Sequence, residues 1–353
     1  MKIGIIGYAR SGKTTIVNAL TGSHAAVGAF GNRDANVAVI KVPDHRVERL
    51  AEVFKPRKTV HAEIEFVDIA PNEAGGEQKA LDSNALTLLK NADALVHVVR
   101  AFENDAVMHP RGSVDPVRDC KGLEEELQLS DLIIIERKLE RLAKEGRHDK
   151  EYELMRRCAQ HIEGGAPLRA LEFAPAELKA LQGYTFLSIK PLMIVGNYGE
   201  ARIGQDDPAA LRAHAAANNF TLVELCGEME MEISELPEEE RAAFREDLGL
   251  GEESRTRFIH AAYDMLGLIS FLTAGEPEVH AWTIHKGTKA VDAAGVIHSD
   301  IQRGFIRAEV VAYADLMDCE GSLHKAKEHG KMRLEGKEYV MQDGDVVLFR
   351  FNV

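Results

Sequence analysis

Short apolar runs bounded by turn residues recur at 2–6, 64–69, 94–99, 192–195 and 222–225, with helical stretches between them. Short apolar strands that alternate with helices predict a mostly parallel sheet covered by helices. Between 122 and 182 the texture changes to charged helix, and Leu132, Ile135, Leu139 and Leu142 follow a 3-4-3 spacing along one helical face. Gly146 marks a turn, after which Leu154, Cys158 and Ile162 continue the stripe on a second helix. The pattern predicts an antiparallel helical hairpin inserted into an α/β domain. Its polar outer faces argue against two helices lying flat on the sheet. After Gly275 the period becomes alternating, at 279–284, 306–311 and 346–351, which predicts a separate small α+β domain. The domains expected are 1–121 and 184–275 for the two parts of the α/β domain, 122–183 for the hairpin and 276–353 for the tail. The acidic stretch 224–253 is expected to be a solvated helical face.

A chain of 353 residues suits two or three compact domains, and its 45% hydrophobic content is ordinary globular material. The balance of 57 acidic against 43 basic residues, a net charge of -14, argues against a surface uniformly attractive to nucleic acid, and DNA is not an expected partner. Cys120, Cys158, Cys226 and Cys319 lack the short spacing of metal or redox motifs and are read as reduced thiols of a cytoplasmic protein. The N-terminal run is a buried strand leading into a functional loop rather than a removable signal, and no apolar run is long enough for a membrane span. His24, His45, His161 and His214 show no ligand spacing.

Gly7-Tyr8-Ala9-Arg10-Ser11-Gly12-Lys13-Thr14 matches G-x-x-x-x-G-K-[ST] between a predicted strand and a helix ending near Gly22. In that setting the backbone N–H groups turn toward phosphate oxygens and the helix N-terminus adds its positive dipole. Lys13 then reaches the β- and γ-phosphates and Thr14 offers an oxygen to Mg²⁺. The strand through Phe66-Val67-Asp68 ends in a carboxylate, where Asp68 serves as the acidic partner of Mg²⁺. Asn197-Tyr198-Gly199-Glu200 stands where a G domain carries N-K-x-D. Asn197 can still hold a purine edge, but the lysine is absent and Glu200 is a methylene longer than aspartate. Guanine discrimination depends on that acceptor, so ATP is expected as the nucleotide and GTP is less favoured.

These residues resemble the YchF, or Obg-like ATPase, family. The likeness continues through His97-Val98-Val99-Arg100, Phe102-Glu103-Asn104-Asp105, Ala281-Trp282-Thr283, Ala294-Gly295-Val296-Ile297-His298, Gly304-Phe305-Ile306-Arg307-Ala308-Glu309, Gly330-Lys331-Met332-Arg333-Leu334-Glu335-Gly336-Lys337 and Asp343-Gly344-Asp345. The resemblance implies a P-loop G domain with an inserted helical hairpin and a C-terminal TGS domain of ubiquitin-like grasp fold. It also implies ATP hydrolysis and association with ribosomes in translation or stress responses. His109 matches the family's histidine that supports hydrolysis. The nucleotide is thus expected to meet Gly7, Ala9, Arg10, Ser11, Gly12, Lys13, Thr14, Thr15, Asn197, Tyr198 and Glu200, with Mg²⁺ on Thr14 and Asp68.

Three departures from the family fall near the γ-phosphate. Pro71 replaces a glycine whose N–H senses that phosphate, and proline has no N–H. A lost hydrogen bond to a charged phosphate costs about 1.5–3 kcal/mol of discrimination between triphosphate and diphosphate unless Asn72 or Gly75 replaces it. In the first switch loop, 28–36, Asn32 stands where a threonine would complete Mg²⁺ coordination. Arg10 sits in the P-loop itself, either supplying part of the charge stabilisation of an arginine finger or facing solvent. In the tail, Lys325, Lys327, Lys331, Arg333 and Lys337 form a basic stretch that would meet ribosomal RNA phosphates. Two functions compete: an Mg²⁺-dependent ATPase of low intrinsic rate, and a hydrolysis-deficient nucleotide-binding module that docks ribosomes or protein partners.

Overall fold

The structure, a computed structural model, describes residues 1–21, 36–69, 80–200, 209–248 and 253–352. Asn32 in the first switch loop and Ala70, Pro71, Asn72 and Gly75 after the Asp68 strand lie outside the described residues. In chain order the elements begin with β1 (Lys2–Ile6), α1 (Lys13–Thr21), β2 (Asn36–Lys41), α2 (His45–Phe54), β3 (Lys58–Val60) and β4 (Glu63–Asp68). They continue with α3 (Ser83–Leu89), β5 (Ala94–Ala101), α4 (Pro116–Lys144), α5 (Lys150–Glu163), α6 (Pro175–Leu181) and β6 (Leu192–Tyr198). Next come α7 (Ala209–Ala217), β7 (Thr221–Leu225), α8 (Gly227–Glu235), α9 (Glu238–Asp247) and α10 (Ser254–Met265). The tail holds β8 (Leu268–Ala274), β9 (Glu278–His285), α11 (Ala290–Ile297), α12 (Ser299–Arg303), β10 (Phe305–Ala312), α13 (Tyr313–Asp318), α14 (Leu323–Glu328), β11 (Arg333–Glu335) and β12 (Asp345–Phe351).

The chain divides into two compact units, one of 1–39 and 65–257, the other of 40–64 and 258–353. In the first, the strand order is β2-β4-β1-β5-β6-β7. The pairs β4/β1, β1/β5, β5/β6 and β6/β7 are all parallel, as the apolar runs predict. Every residue of β5 and β6 is buried, the condition of a central parallel strand covered on both faces. On one face α3 and the first half of α4 close a core that includes Ile6, Leu89, Leu95, Leu123, Leu127 and Leu192.

The long helix α4 has two jobs. Asp115 caps its start by accepting from the Arg118 N–H, and Pro116 occupies its first turn, where a missing N–H costs nothing. Its first half lies on the sheet, as Leu123 and Leu127 show. Its second half runs on with Ile135 into a separate core with Leu154, Met155, Cys158, Ile162, Leu168, Leu181 and Phe186. Gly146, at φ 67°, turns the chain into α5, whose N-cap Asp149 accepts from Glu151 and Tyr152. The hairpin is thus formed by the second half of α4 with α5, while only the first half of α4 lies on the sheet. Between the halves, the fully buried Asp131 carboxylate accepts the N–H groups of Leu187 (2.8 Å) and Ser188 (2.7 Å).

In the second unit the sheet order is β11-β10-β12-β8-β9-β3. An antiparallel β8/β9 pair, a helix, and β12 running parallel to β8 in the centre with β10 beyond it form the grasp arrangement of ubiquitin-like domains. The sequence reading began this domain at 276, but β8 precedes that point and β3, from the early chain, pairs in parallel with β9. Segment 40–64 is held in this unit by Arg46, which reaches Asp343 at 2.7 Å, and by Val53, packed where Gly321 leaves room. In the acidic stretch most carboxylates are solvated, but Glu230 is buried and pairs with Arg245 at 3.0 Å.

Candidate nucleotide site

The site lies where β1 gives way to α1. Gly7 has φ 150°, and a Cβ there would stand 2.4 Å from the Val98 carbonyl oxygen, so the loop needs a residue without one. Gly12, at φ 88°, is required for a second reason: a Cβ would meet Asn197 Nδ2 at 2.2 Å. Asn197 sits at the C-terminal end of β6 and ties two other segments to it. Its Nδ2 donates to the Ser11 carbonyl (3.0 Å) and its Oδ1 accepts the Gly227 N–H at the start of α8 (2.9 Å). The residue expected to touch the base thus also ties the P-loop to the wall formed by α8.

Lys13 is buried, its ammonium donating to the carbonyls of Gly7 (2.7 Å) and Tyr8 (3.1 Å). Burial pushes its pKa down to about 8 against the opposing pull of Asp68. Thr14 Oγ1 donates to Asp68 Oδ2 at 3.4 Å, which brings the two residues expected to hold Mg²⁺ together from elements 54 positions apart. Burial raises the Asp68 pKa, while Lys13 and Thr14 lower it. Among the described residues, Ser11 Oγ and Asp68 Oδ1 are buried without a hydrogen-bond partner. A buried oxygen left unpaired is costly, and a hard cation or a phosphate with its own donors would satisfy this set. The donors therefore fit a nucleotide with Mg²⁺.

The other candidates take less central places. Arg10 is exposed at φ 62° and donates to the Met108 carbonyl at 3.2 Å, so it bridges the P-loop to the loop that carries His109. The Tyr198 ring packs in a core with Val99, Cys120, Ile194 and Leu211, beneath the site rather than in it. Glu200 and Ala9 lie at the surface end, and Thr15 is half-buried in the first turn of α1.

His109 is buried against the N-terminal turn of α4. Its Nδ1 accepts the Arg111 N–H at 3.1 Å, so its proton is on Nε2, 2.9 Å from Asp119 Oδ2. Burial holds its pKa below the usual histidine value, helped by Arg100 and Arg118, with Asp119 opposing. Arg100 is also buried and fixes the following loop by donating to the carbonyls of Phe102 (3.0 Å) and Val107 (2.8 Å). Sequence reasoning missed a second linkage. Tyr8 and Arg111 stack at 5.4 Å, and Glu126 of α4 accepts the N–H groups of Ala80 (2.8 Å) and Leu81 (3.0 Å), with the Tyr8 hydroxyl at 3.5 Å. Glu126 stood in a charged helical run with no signal of its own. Asp119 carried no signal beyond that of an acid in a first helical turn.

In the tail, three of the five basic residues are engaged locally. Lys325 pairs with Glu320, Lys331 reaches Asp315 at 2.8 Å and Arg333 reaches Asp345 at 3.3 Å. Among the described residues, no helix is long and apolar enough to cross a membrane.

A strand, a glycine-bearing turn and a helix that aim Lys13 and Thr14 at a buried aspartate, on a parallel sheet, define a P-loop NTP hydrolase of the G-domain type. The family model described as "50S ribosome-binding GTPase" matches residues 2–138, and the YchF-GTPase C-terminal model, described as "Protein of unknown function (DUF933)", matches 268–352. The chain belongs to the YchF family. It is 42% identical to the ribosome-binding ATPase YchF of Bacillus subtilis, with 99% of each chain covered. It is 40% identical to the ribosome-binding ATPase YchF of Escherichia coli O157:H7, over 100% of this chain and 99% of that one. The structure of the Schizosaccharomyces pombe YchF GTPase superposes with a TM-score of 0.87 at 29% identity, covering 99% of this chain and 97% of that one.

Proposed function

We propose that this protein is a cytoplasmic, Mg²⁺-dependent NTPase of low intrinsic rate that prefers ATP and acts on ribosomes, as the names of its relatives say of them. The observation that carries the reading is the pairing of Thr14 with Asp68 beside Lys13, where Ser11 Oγ and Asp68 Oδ1 are buried without a partner among the described residues. Lys13 holds the β- and γ-phosphates, its carbonyl contacts giving way to phosphate oxygens. Bound through Thr14 and Asp68, Mg²⁺ would supply neutralisation of phosphate charge. Asn197 keeps the loop in register with the purine wall while its Nδ2 retains a second hydrogen for the base. The N-x-x-E sequence lacks the lysine and the shorter acid that read guanine, which supports adenine. His109 supports hydrolysis by orienting water, and Arg10 adds positive charge at the mouth of the loop. The grasp domain and the hairpin are the surfaces offered to ribosomal RNA and protein. Because Lys325, Lys331 and Arg333 are already paired, RNA contact there requires exchanging carboxylate partners for phosphates.

A second reading, a module that binds nucleotide without hydrolysing it, draws support from His109, whose ring nitrogens are both engaged inside the protein. Titration of ATP, ADP, GTP and GDP with Mg²⁺, followed by phosphate release with and without ribosomes, separates the two. Tighter ATP than GTP and ribosome-stimulated release are expected of the enzyme. Equal ATP and ADP affinity with no release would favour the module. Arg10→Ala tests the arginine: an unchanged rate would remove it from catalysis.

A further inference from the structure

We propose that Asp119 is a positioning residue that keeps His109 withdrawn, so that hydrolysis waits on the breaking of this one hydrogen bond. The proposal rests on the reading of His109 as the residue that supports hydrolysis. The geometry is specific. The side chains of His109 and Asp119 are each only 3% exposed, and Asp119 Oδ2 takes the Nε2 proton at 2.9 Å. The other ring nitrogen is occupied by the Arg111 N–H. A histidine held at both nitrogens offers neither lone pair nor proton to a water, so it must leave Asp119 before it can act.

Asp119 is itself fixed. Its Oδ1 accepts from Arg118 Nε (3.0 Å) and Nη2 (2.9 Å), and Arg111 Nη1 stands at 3.7 Å. The carboxylate therefore serves donors on both oxygens, a task an amide cannot perform because it has one acceptor. Asp119 lies in the first turn of α4, whose far half forms the hairpin core with α5. A partner that shifts α4 would move the latch without touching the nucleotide.

The test uses the full chain and reads two quantities, turnover and the ¹⁵N signals of the His109 ring. In the wild type the ring reports a proton on Nε2. In Asp119→Asn we expect the Nε2 signal to lose the shift that its hydrogen bond to the carboxylate gives it, and basal turnover to rise about tenfold or more, the scale of one charge-assisted hydrogen bond lost. The gain should vanish when His109→Ala is added. Turnover that falls in Asp119→Asn as it does in His109→Ala would overturn the latch and make Asp119 an activator. An unchanged Nε2 signal would overturn it as well. If His109→Ala alone leaves turnover intact, the hydrolytic reading of the histidine fails, while the Nε2 signal still decides whether Asp119 holds the ring. Should the Asn variant not fold, the wild type with Mg²⁺, ADP and aluminium fluoride answers the same question. A shifted Nε2 signal, reporting loss of the bond to Asp119, supports the proposal, and an unchanged one overturns it.

Discussion

Asn197 does more than a base-reading side chain needs to. Removing it in Asn197→Ala strands the Ser11 carbonyl and the Gly227 N–H, both of which it pairs. The expected loss is about 1–3 kcal/mol of stability, visible in denaturant unfolding, together with weaker nucleotide binding. Gly12→Ala should reach the same end from the opposite side, since its Cβ would collide with Asn197 Nδ2. Lys13 makes a prediction about protons. In the free protein its pKa is lowered to about 8, mainly by burial, and phosphate beside it would restore the charged form. Below pH 8 the lysine is already charged and binding takes up no proton. Above it binding must bring one, so affinity falls as pH rises, by up to about tenfold per unit. Calorimetry in buffers of different ionisation enthalpy should show almost no uptake at pH 6.5, and uptake approaching one proton at pH 9. Uptake that does not change with pH would contradict the assignment. His97, in contrast, is buried behind the loop with its pKa pushed down to about 3 by burial and by Lys13, and stays neutral through this range.

Among the elements, α4 connects most. Its first half belongs to the sheet core and its second to the hairpin, and Asp131 stands at the join. There the carboxylate accepts Leu187 N–H on one oxygen and Ser188 N–H on the other. Burial raises its pKa, and the hydrogen bonds with Ser188 and Leu187 oppose that shift. In Asp131→Asn one amide loses its acceptor, at a cost of about 1–3 kcal/mol. Hydrogen exchange should quicken around 185–190 and along α5, while nucleotide affinity stays as it was. Faster exchange spread evenly through the sheet would mean that the hairpin has no separate stability. Glu126 serves a similar end at the other core, fastening the chain just before α3 to α4 and to Tyr8 of the P-loop.

For the whole molecule, the second unit is assembled from distant parts of the chain. A fragment cut at 276, where the alternating pattern begins, would lack β8, the strand between β12 and β9, and β3, which covers the other edge of β9. We expect residues 276–353 alone to give no cooperative thermal transition and to bind a dye that reports exposed apolar surface. Starting at 258 restores β8, with Tyr263 bonded to Ser270 at 2.7 Å, and should recover structure in part. A sharply melting 276–353 fragment would show that the grasp fold does not depend on its borrowed strand. The charge of -14 bears on partners at this scale, because long-range attraction to RNA must come from local patches.

The central strands, the P-loop and both hairpin helices were legible along the chain. Their signals are local: β5 and β6 are largely apolar because both faces are covered, and a phosphate loop needs its glycines, Lys13 and Thr14 within a few residues. Resemblance added His109, though not its place. The pairing of Asp68 with Thr14, the bracing by Asn197, the hold of Asp119 on His109 and the passage of 40–64 into the second sheet emerged only once the chain was folded. Each joins residues far apart in sequence, where neither period nor spacing carries information. Their energies come from satisfying buried polar groups, and which groups are buried together is a property of the packed chain.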